Sequence, residues 1–172
     1  MRAAILFGKL PAHGDFVARG LSETEAGALD DWLSESLGSA AVMRDFDNLY
    51  VAAPSWRFVA SFDDQPMCGV IAPSVDKVGR QFPILVGVQA DGDVELIMDA
   101  CESRLYEAFA DGHDADNLYG ALTAFPEAGG GNGVPAAGWF LEDENRLIVD
   151  RLDGDRPSGL VRRMVESARL RA

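Results

Sequence analysis

The sequence predicts an α+β (mixed α/β) domain in which a single, mostly antiparallel sheet of five to seven strands is packed by three to four helices. Short runs typical of strands follow one another through the first half of the chain, and the short turns between them favour antiparallel pairing. Amphipathic helical patterns flank these runs. No repeat or long linker interrupts residues 1–172, so we expect a single domain over this whole range.

The chain begins with an apolar run, Ala3–Phe7, which is typical of a short buried strand. Glycine, proline and charged residues interrupt every period over Gly8–Gly20, which predicts a loop. Ser22 and Glu25 have the spacing of a capping box at the start of a helix. Apolar residues recur at helical spacing from there to Leu37, and we expect a helix over these residues.

Four strands are predicted in the middle of the chain. The run Leu49–Ala53 is interpreted as the first, and Pro54 ends it. Apolar and polar residues alternate over Trp56–Phe62, which is the pattern of a half-buried strand. A turn rich in aspartate leads into the run Met67–Ala72, and a longer loop leads into Phe82–Val88.

The second half of the chain contains more helix than the first. The best amphipathic pattern covers Val94–Phe109, and a shorter one covers Leu118–Phe125. The glycine-rich segment 129–133 is interpreted as a flexible connection. The runs Ala137–Leu141 and Arg146–Val149 predict a hairpin, and Pro157 is placed as at the start of a last helix.

The charge of the chain limits its partners. Its 15 Lys and Arg residues oppose 28 Asp and Glu residues, which gives a net charge of −13. Such a surface repels nucleic-acid phosphates and anionic lipids, so we expect neither class of partner; a basic protein, or solubility alone, accounts for the charge. No apolar run approaches the ~20 residues that span a bilayer, and the first residues lack the form of a signal peptide, which predicts a cytoplasmic protein without membrane insertion.

The two cysteines, Cys68 and Cys101, lie in apolar patterns and are expected to be buried free thiols. With only His13 and His113 besides them, the chain lacks the paired motif of a structural zinc site. Spaced aspartates are an alternative set of ligands for Mg²⁺, but in so acidic a chain they are usually solvated turns. We therefore expect neither a metal site nor a cofactor.

Two loops are more specific in composition than a scaffold requires. We call Gly8–Phe16 loop 1 and Pro73–Pro83 loop 2; Pro54–Phe58 lies between them in the sequence. Both loops combine glycine, proline and charge next to a predicted strand, so their shapes are expected to be preset. Asp15 and Asp76 are candidates to pair with Arg80 or Arg57, and the same residue types serve equally well to join the loops or to bind a partner.

These segments resemble the TagF (ImpM) family of proteins associated with bacterial type VI secretion. The resemblance rests on GKLPAHGDFVARGL, PSWRF and GVIAPSVDKVGRQFPI, in this order and nearly without gaps. It implies a cytoplasmic repressor that acts after translation and engages a forkhead-associated-domain scaffold protein. Some family members are fused to a phosphatase, but the corresponding segment is absent from this sequence.

The resemblance also places a set of candidate partner-binding residues on the family motifs. These are Lys9, Pro11, Gly14, Asp15, Phe16, Trp56, Arg57, Pro73, Ser74, Asp76, Gly79 and Arg80. Lys9, Arg57 and Arg80 are expected to supply positive contact points on an otherwise negative molecule. Trp56 lies in an apolar pattern and is first expected in the core.

Two alternative functions remain open. A small hydrolase would use His13 as base, Asp15 to orient it and Ser74 or Ser55 as nucleophile, although no G-x-S-x-G motif is present. A structural module would brace a larger assembly. The binding regulator is the interpretation that we favour, without enzymatic activity.

Overall fold

The computed structural model describes residues 2–125 and 133–171. Its helices are α1 to α5 and its strands β1 to β7, and a short 3₁₀ turn, Ala168–Arg171, follows α5. In chain order the elements are β1 (Ala4–Gly8), β2 (Val17–Arg19), α1 (Glu23–Ala41), α2 (Phe46–Ala52), β3 (Trp56–Phe62), β4 (Gln65–Ala72), β5 (Ile84–Gln89), α3 (Val94–Asp111), α4 (Ala115–Thr123), β6 (Gly138–Glu142), β7 (Ile148–Asp153) and α5 (Leu160–Ser167).

All strands belong to one sheet with the order β2-β1-β5-β4-β3-β6-β7, and every neighbouring pair is antiparallel. The predicted α+β fold with one antiparallel sheet is therefore confirmed. Seven strands are the upper end of the predicted range, and the described residues contain five helices where three to four were expected.

The sheet lies between two layers of helices because its strands alternate in the side chains they present. Ile5 and Phe7 of β1 belong to the apolar cluster under α1 and α5, whereas Leu6 belongs to the cluster under α3 and α4. The central strands are buried on both faces, as expected for a sheet that is covered twice. Among the described residues, no helix is both long and apolar enough to span a membrane.

The strand predicted at Leu49–Ala53 is wrong, because this segment belongs to helix α2. Phe46 and Tyr50, four residues apart, are both buried in a small cluster with Val161 and Val165 of α5. Phe46 precedes the predicted strand, so the helical spacing from Phe46 to Tyr50 is not visible within Leu49–Ala53. Taken alone, this apolar run is typical of a strand. Strand β2 lies inside the segment that was predicted to be a loop.

Several local predictions agree with the structure. Ser22 is the N-cap of α1 and accepts a hydrogen bond from the backbone N–H of Glu25. Cys68 and Cys101 are buried free thiols, and burial raises the pKa of the Cys68 thiol to about 12. The glycine-rich connection predicted at 129–133 falls largely outside the described residues.

Candidate functional site

Loops 1 and 2 lie side by side at one edge of the sheet. Strands β1 and β4 are each antiparallel to β5, so they run in the same direction and both end at this edge. Loop 1 leaves β1 there and loop 2 leaves β4 there. Gly8 is required at the start of loop 1, because its φ is 133° and a Cβ would lie 2.0 Å from the carbonyl oxygen of Pro83.

Asp76 is the centre of loop 2. Its side chain is fully buried, and one carboxylate oxygen accepts hydrogen bonds from the backbone N–H groups of Val78 at 3.0 Å and Arg80 at 2.9 Å. The other oxygen lies 2.7 Å from Arg80 Nε and 3.2 Å from Nζ of Lys9 in loop 1. Asp76 thus shapes the turn and joins it to loop 1.

The charge of Asp76 is strongly stabilised in this environment. Burial alone would raise the pKa of its carboxyl group. The hydrogen bonds from the Arg80 backbone, from the Lys9 and Arg80 side chains and from the Val78 backbone outweigh burial and lower the pKa to about 2. The carboxylate therefore stays ionised at neutral pH.

Further hydrogen bonds link the two loops. Ser74 Oγ donates to the carbonyl oxygen of Lys9 at 2.7 Å. The backbone N–H of Lys77 donates to the carbonyl oxygen of His13 at 2.7 Å, and Arg80 Nη2 donates to that of Gly14 at 2.6 Å. These contacts hold the loops as one rigid unit.

Tyr50 of helix α2 holds loop 2 through its side-chain hydroxyl. The Tyr50 hydroxyl donates to the carbonyl oxygen of Ser74 at 2.8 Å and accepts from the backbone N–H of Ser74 at 2.9 Å. Burial raises the pKa of the Tyr50 hydroxyl well above its usual range, so it remains a donor. Sequence reasoning missed Tyr50, because the helix that positions it was interpreted as a strand.

An aromatic cluster holds the end of loop 1. The ring of Phe16 packs edge-on against Phe82 with centroids 4.7 Å apart, and Lys9 Nζ lies 4.9 Å from the centre of the Phe16 ring. Phe16 remains 42% exposed. The ring thus shields the buried ion pair on one side and presents apolar surface on the other.

The candidate residues lie at different depths in the structure. Lys9, Trp56, Ser74 and Asp76 are buried, whereas the exposed candidates are Pro11, Gly14, Asp15, Phe16, Gly79 and Arg80. Trp56 belongs to the core, as first expected, and its Nε1 contacts Ser167 Oγ at 3.3 Å. Pro73 is half-buried.

Three expectations about charge are wrong. Lys9 is not a surface contact point, because it is buried against Asp76. Arg57 does not pair with the loops: its Nη2 lies 2.7 Å from Asp99 and 2.8 Å from Glu102, both on α3. Trp56 enters one face of the sheet, so its neighbour in β3 points to the opposite face. Of the pairs expected for the loops, that of Asp76 with Arg80 is present. Asp15 does not pair with Arg80; its carboxylate accepts from the backbone N–H of Phe16.

The residues of the hydrolase alternative have other partners in this structure. His13 Nε2 accepts a hydrogen bond from the backbone N–H of Ala115, at 2.9 Å, and thereby caps α4. The hydroxyl of Ser74 is buried and donates to Lys9, while that of Ser55 donates to Glu102. Within residues 2–125 and 133–171, no cluster of His, Cys, Asp or Glu side chains is arranged to hold a metal ion.

Comparison with known proteins addresses the family and the fold. Residues 5–120 match the family model described as TagF N-terminal domain, type VI secretion system-associated. No curated protein matches the chain. The crystal structure of PA0076 from Pseudomonas aeruginosa PAO1 is similar, with a TM-score of 0.71 and 21% sequence identity over 94% of this chain and 93% of that one.

At this identity the structural likeness concerns the fold alone. The family model, in contrast, spans more than half of the chain and includes both loops and the Pro54–Phe58 segment. The resemblance read from these motifs is thereby confirmed, and the chain belongs to the TagF family of type VI secretion system-associated proteins.

Proposed function

We propose that this chain is a non-enzymatic regulator that acts in the cytoplasm and represses type VI secretion after translation by binding a protein partner. The forkhead-associated-domain scaffold of the secretion system is the partner that the family resemblance implies. The contact surface is the exposed part of loops 1 and 2. The observation that carries the proposal is that the buried Asp76 carboxylate holds the backbone of the loop 2 turn while the side chains of Lys77 and Val78 stay exposed.

This turn offers exposed side chains on a fixed backbone. Lys77, Val78 and Arg80 are exposed, and Val78 has 72% of its surface accessible. The Asp76 carboxylate holds the backbone beneath them through the hydrogen bonds of Val78 and Arg80. A surface that is already ordered loses little entropy on association, which favours binding.

The charge of the turn differs from that of the rest of the molecule. Lys9 and Lys77 are the two lysines of the chain, and both lie in these loops. Lys9 is buried against Asp76, whereas Lys77 and Arg80 are exposed cations on either side of Val78, and Arg80 also pairs with Asp76 through Nε. On a chain of net charge −13, a local positive site orients a partner and sets specificity.

The direction of the effect on secretion tests the proposal. We expect deletion of the chain to raise the amount of type VI substrate in the medium, and the wild-type chain to restore the low level. A fall in secretion after deletion would contradict repression and favour the structural module instead.

Surface variants test the contact. The double variant Lys77→Glu/Val78→Asp changes exposed side chains only, so it should fold normally, fail to retain the purified scaffold in a pull-down and fail to restore repression. Val42→Asp is the matched control, since Val42 is 80% exposed at the end of α1 and belongs to neither loop. A folded double variant that binds and represses like the control would exclude this surface.

A further inference from the structure

Two adjoining cavities with unlike linings lie beside α3, and we call them together the groove, with a larger and a smaller half. The larger half, about 780 Å³ in volume, lies between α3 and the turn that joins β6 to β7. Arg57, Glu102 and Tyr106 contribute to its lining, together with Glu142–Arg146 from the β6–β7 turn. The side chains of this half are mostly polar.

The smaller half, about 200 Å³ in volume, is apolar. Its lining includes Pro11 of loop 1, Val51 of α2, Val75 of loop 2 and Phe109 of α3. The two halves meet at α3, where the rings of Tyr106 and Phe109 touch edge to face with centroids 5.9 Å apart. The groove thus leads from loops 1 and 2 to the β6–β7 turn.

The polar half carries an excess of negative charge. Four carboxylates and two guanidinium groups line it. Both guanidinium groups are already paired: Asp99 and Glu102 lie 2.7 and 2.8 Å from Arg57 Nη2, and Asp99 lies 2.8 Å from Arg146 Nη2. Glu142 has only a long ion pair, 3.9 Å to Arg57 Nη1, and no ion pair is found for Glu144 among the described residues.

One buried polar atom beside the groove lacks a hydrogen-bond partner in the described part of the chain. Arg57 Nη1 is buried and has no hydrogen-bond partner among the described residues. The 3.9 Å that separates it from Glu142 Oε2 is too long for a hydrogen bond. Burial raises the pKa of Glu142, and the charge of Arg57 opposes this rise. The groove therefore offers carboxylates for a cation.

We infer that this groove binds an extended peptide segment of a protein partner, in which an apolar side chain precedes one or two basic side chains. The apolar side chain enters the half lined by Pro11, Val51 and Phe109. The basic side chains of the segment pair with Glu142 and Glu144. The inference rests on the proposed function in one respect, namely that the chain binds a protein.

The charge pattern selects this occupant. An acidic segment would be repelled by the carboxylates that Arg57 and Arg146 do not neutralise, and a purely basic segment would leave the apolar half empty. The site is distinct from the positive turn of loop 2, so one partner can engage both through segments of opposite charge.

Direct binding of defined peptides tests the inference. The probes are short fluorescein-labelled peptides in which a Leu precedes two Arg with a few Gly between them, and matched peptides carry Glu in place of Arg. Fluorescence anisotropy with the full chain should give saturable binding of an Arg peptide with a Kd below about 1 mM, and weaker or no binding of the Glu peptides. If no Arg peptide binds, or if the Glu peptides bind equally well, the inference is wrong.

Two pairs of variants locate the site. Val51→Lys places a cation at the apolar half and should weaken binding of the Arg peptide about tenfold or more. Val42→Lys is its control, since both valines are exposed near a helix C-terminus. Glu144→Gln should weaken binding about two- to fivefold, as for an exposed ion pair, whereas Glu35→Gln on the opposite face of the sheet should not.

Equal affinities for Val51→Lys and Val42→Lys would overturn the assignment of the site. This assay is independent of the secretion assay. Failure of peptide binding with normal repression refutes the groove alone, and peptide binding without repression refutes the proposed function alone.

Discussion

The two hydrogen bonds between Tyr50 and loop 2 predict a measurable contribution to the free energy of unfolding. Replacing Tyr50 by Phe keeps the buried ring and removes two hydrogen bonds to the backbone of Ser74. The Ser74 carbonyl keeps a second donor, the backbone N–H of Phe82 at 3.1 Å, whereas its own N–H loses the partner that the structure gives it. The effect is therefore dominated by one orphaned buried donor.

An unsatisfied buried donor costs about 1–3 kcal/mol, and the lost bond to the carbonyl adds about 1 kcal/mol. We expect Tyr50→Phe to lower the free energy of unfolding by about 2–4 kcal/mol. For a chain of this size each kcal/mol lowers Tm by about 2–4 °C, so the midpoint should fall by roughly 4–16 °C.

Thermal and urea unfolding, followed by circular dichroism, measure both quantities. Tyr106→Phe is the control, because Tyr106 is 44% exposed and its change should stay within about 0.5 kcal/mol. If Tyr50→Phe proves as stable as this control, the Tyr50 hydroxyl does not hold loop 2, and the rigidity assigned to the turn has another origin or is absent.

Two further predictions concern the same unit. Because the pKa of Asp76 is lowered from 3.8 to about 2, its contribution to stability is complete above pH 3.8 and is lost as pH falls through 2. In urea unfolding, Asp76→Asn should therefore lose less stability than the wild type over this interval, and equal losses would contradict the assignment. His13→Ala removes the acceptor of the Ala115 N–H and should cost about 0.5–2 kcal/mol, typical of a lost helix cap, measured by thermal unfolding; His113→Ala is the control, and equal midpoints would refute the cap.

The meeting of loops 1 and 2 was predictable from the sequence, but the internal arrangement was not. Glycine, proline and charge after two predicted strands correctly marked the segments with preset shape. Residue type alone could not tell whether Lys9 and Asp76 face a partner or each other, because an ion pair uses the same groups in both cases. Their burial decides this, and burial depends on the packing of Phe16 over Lys9.

The environment of Arg57 shows a signal that sequence reasoning left unused. In a strand, a residue next to a core tryptophan points to the other face, so Arg57 had to meet α3 and α4 rather than α1. The helix that covers this face carries Asp99 and Glu102, three residues apart and hence on one side of α3. The sequence of helix α2 contains a weaker signal, because a short helix with two buried aromatic residues is hard to distinguish from an apolar strand by its pattern.

Because motif residues such as Lys9 and Asp76 are buried, loss of binding on their substitution does not show that they contact a partner. A buried ion pair such as Lys9–Asp76 adds little net stability compared with apolar packing, but only a carboxylate can accept from two backbone N–H groups and two cations at once. Substitution of Asp76 therefore changes the shape of the turn, and loss of a partner would follow whether or not Asp76 touches it. Contact is tested only by side chains that the loops do not use internally, of which Lys77 and Val78 are the best placed. Loss of binding on substitution of these exposed residues indicates direct contact with the partner, whereas loss on substitution of the buried motif residues does not.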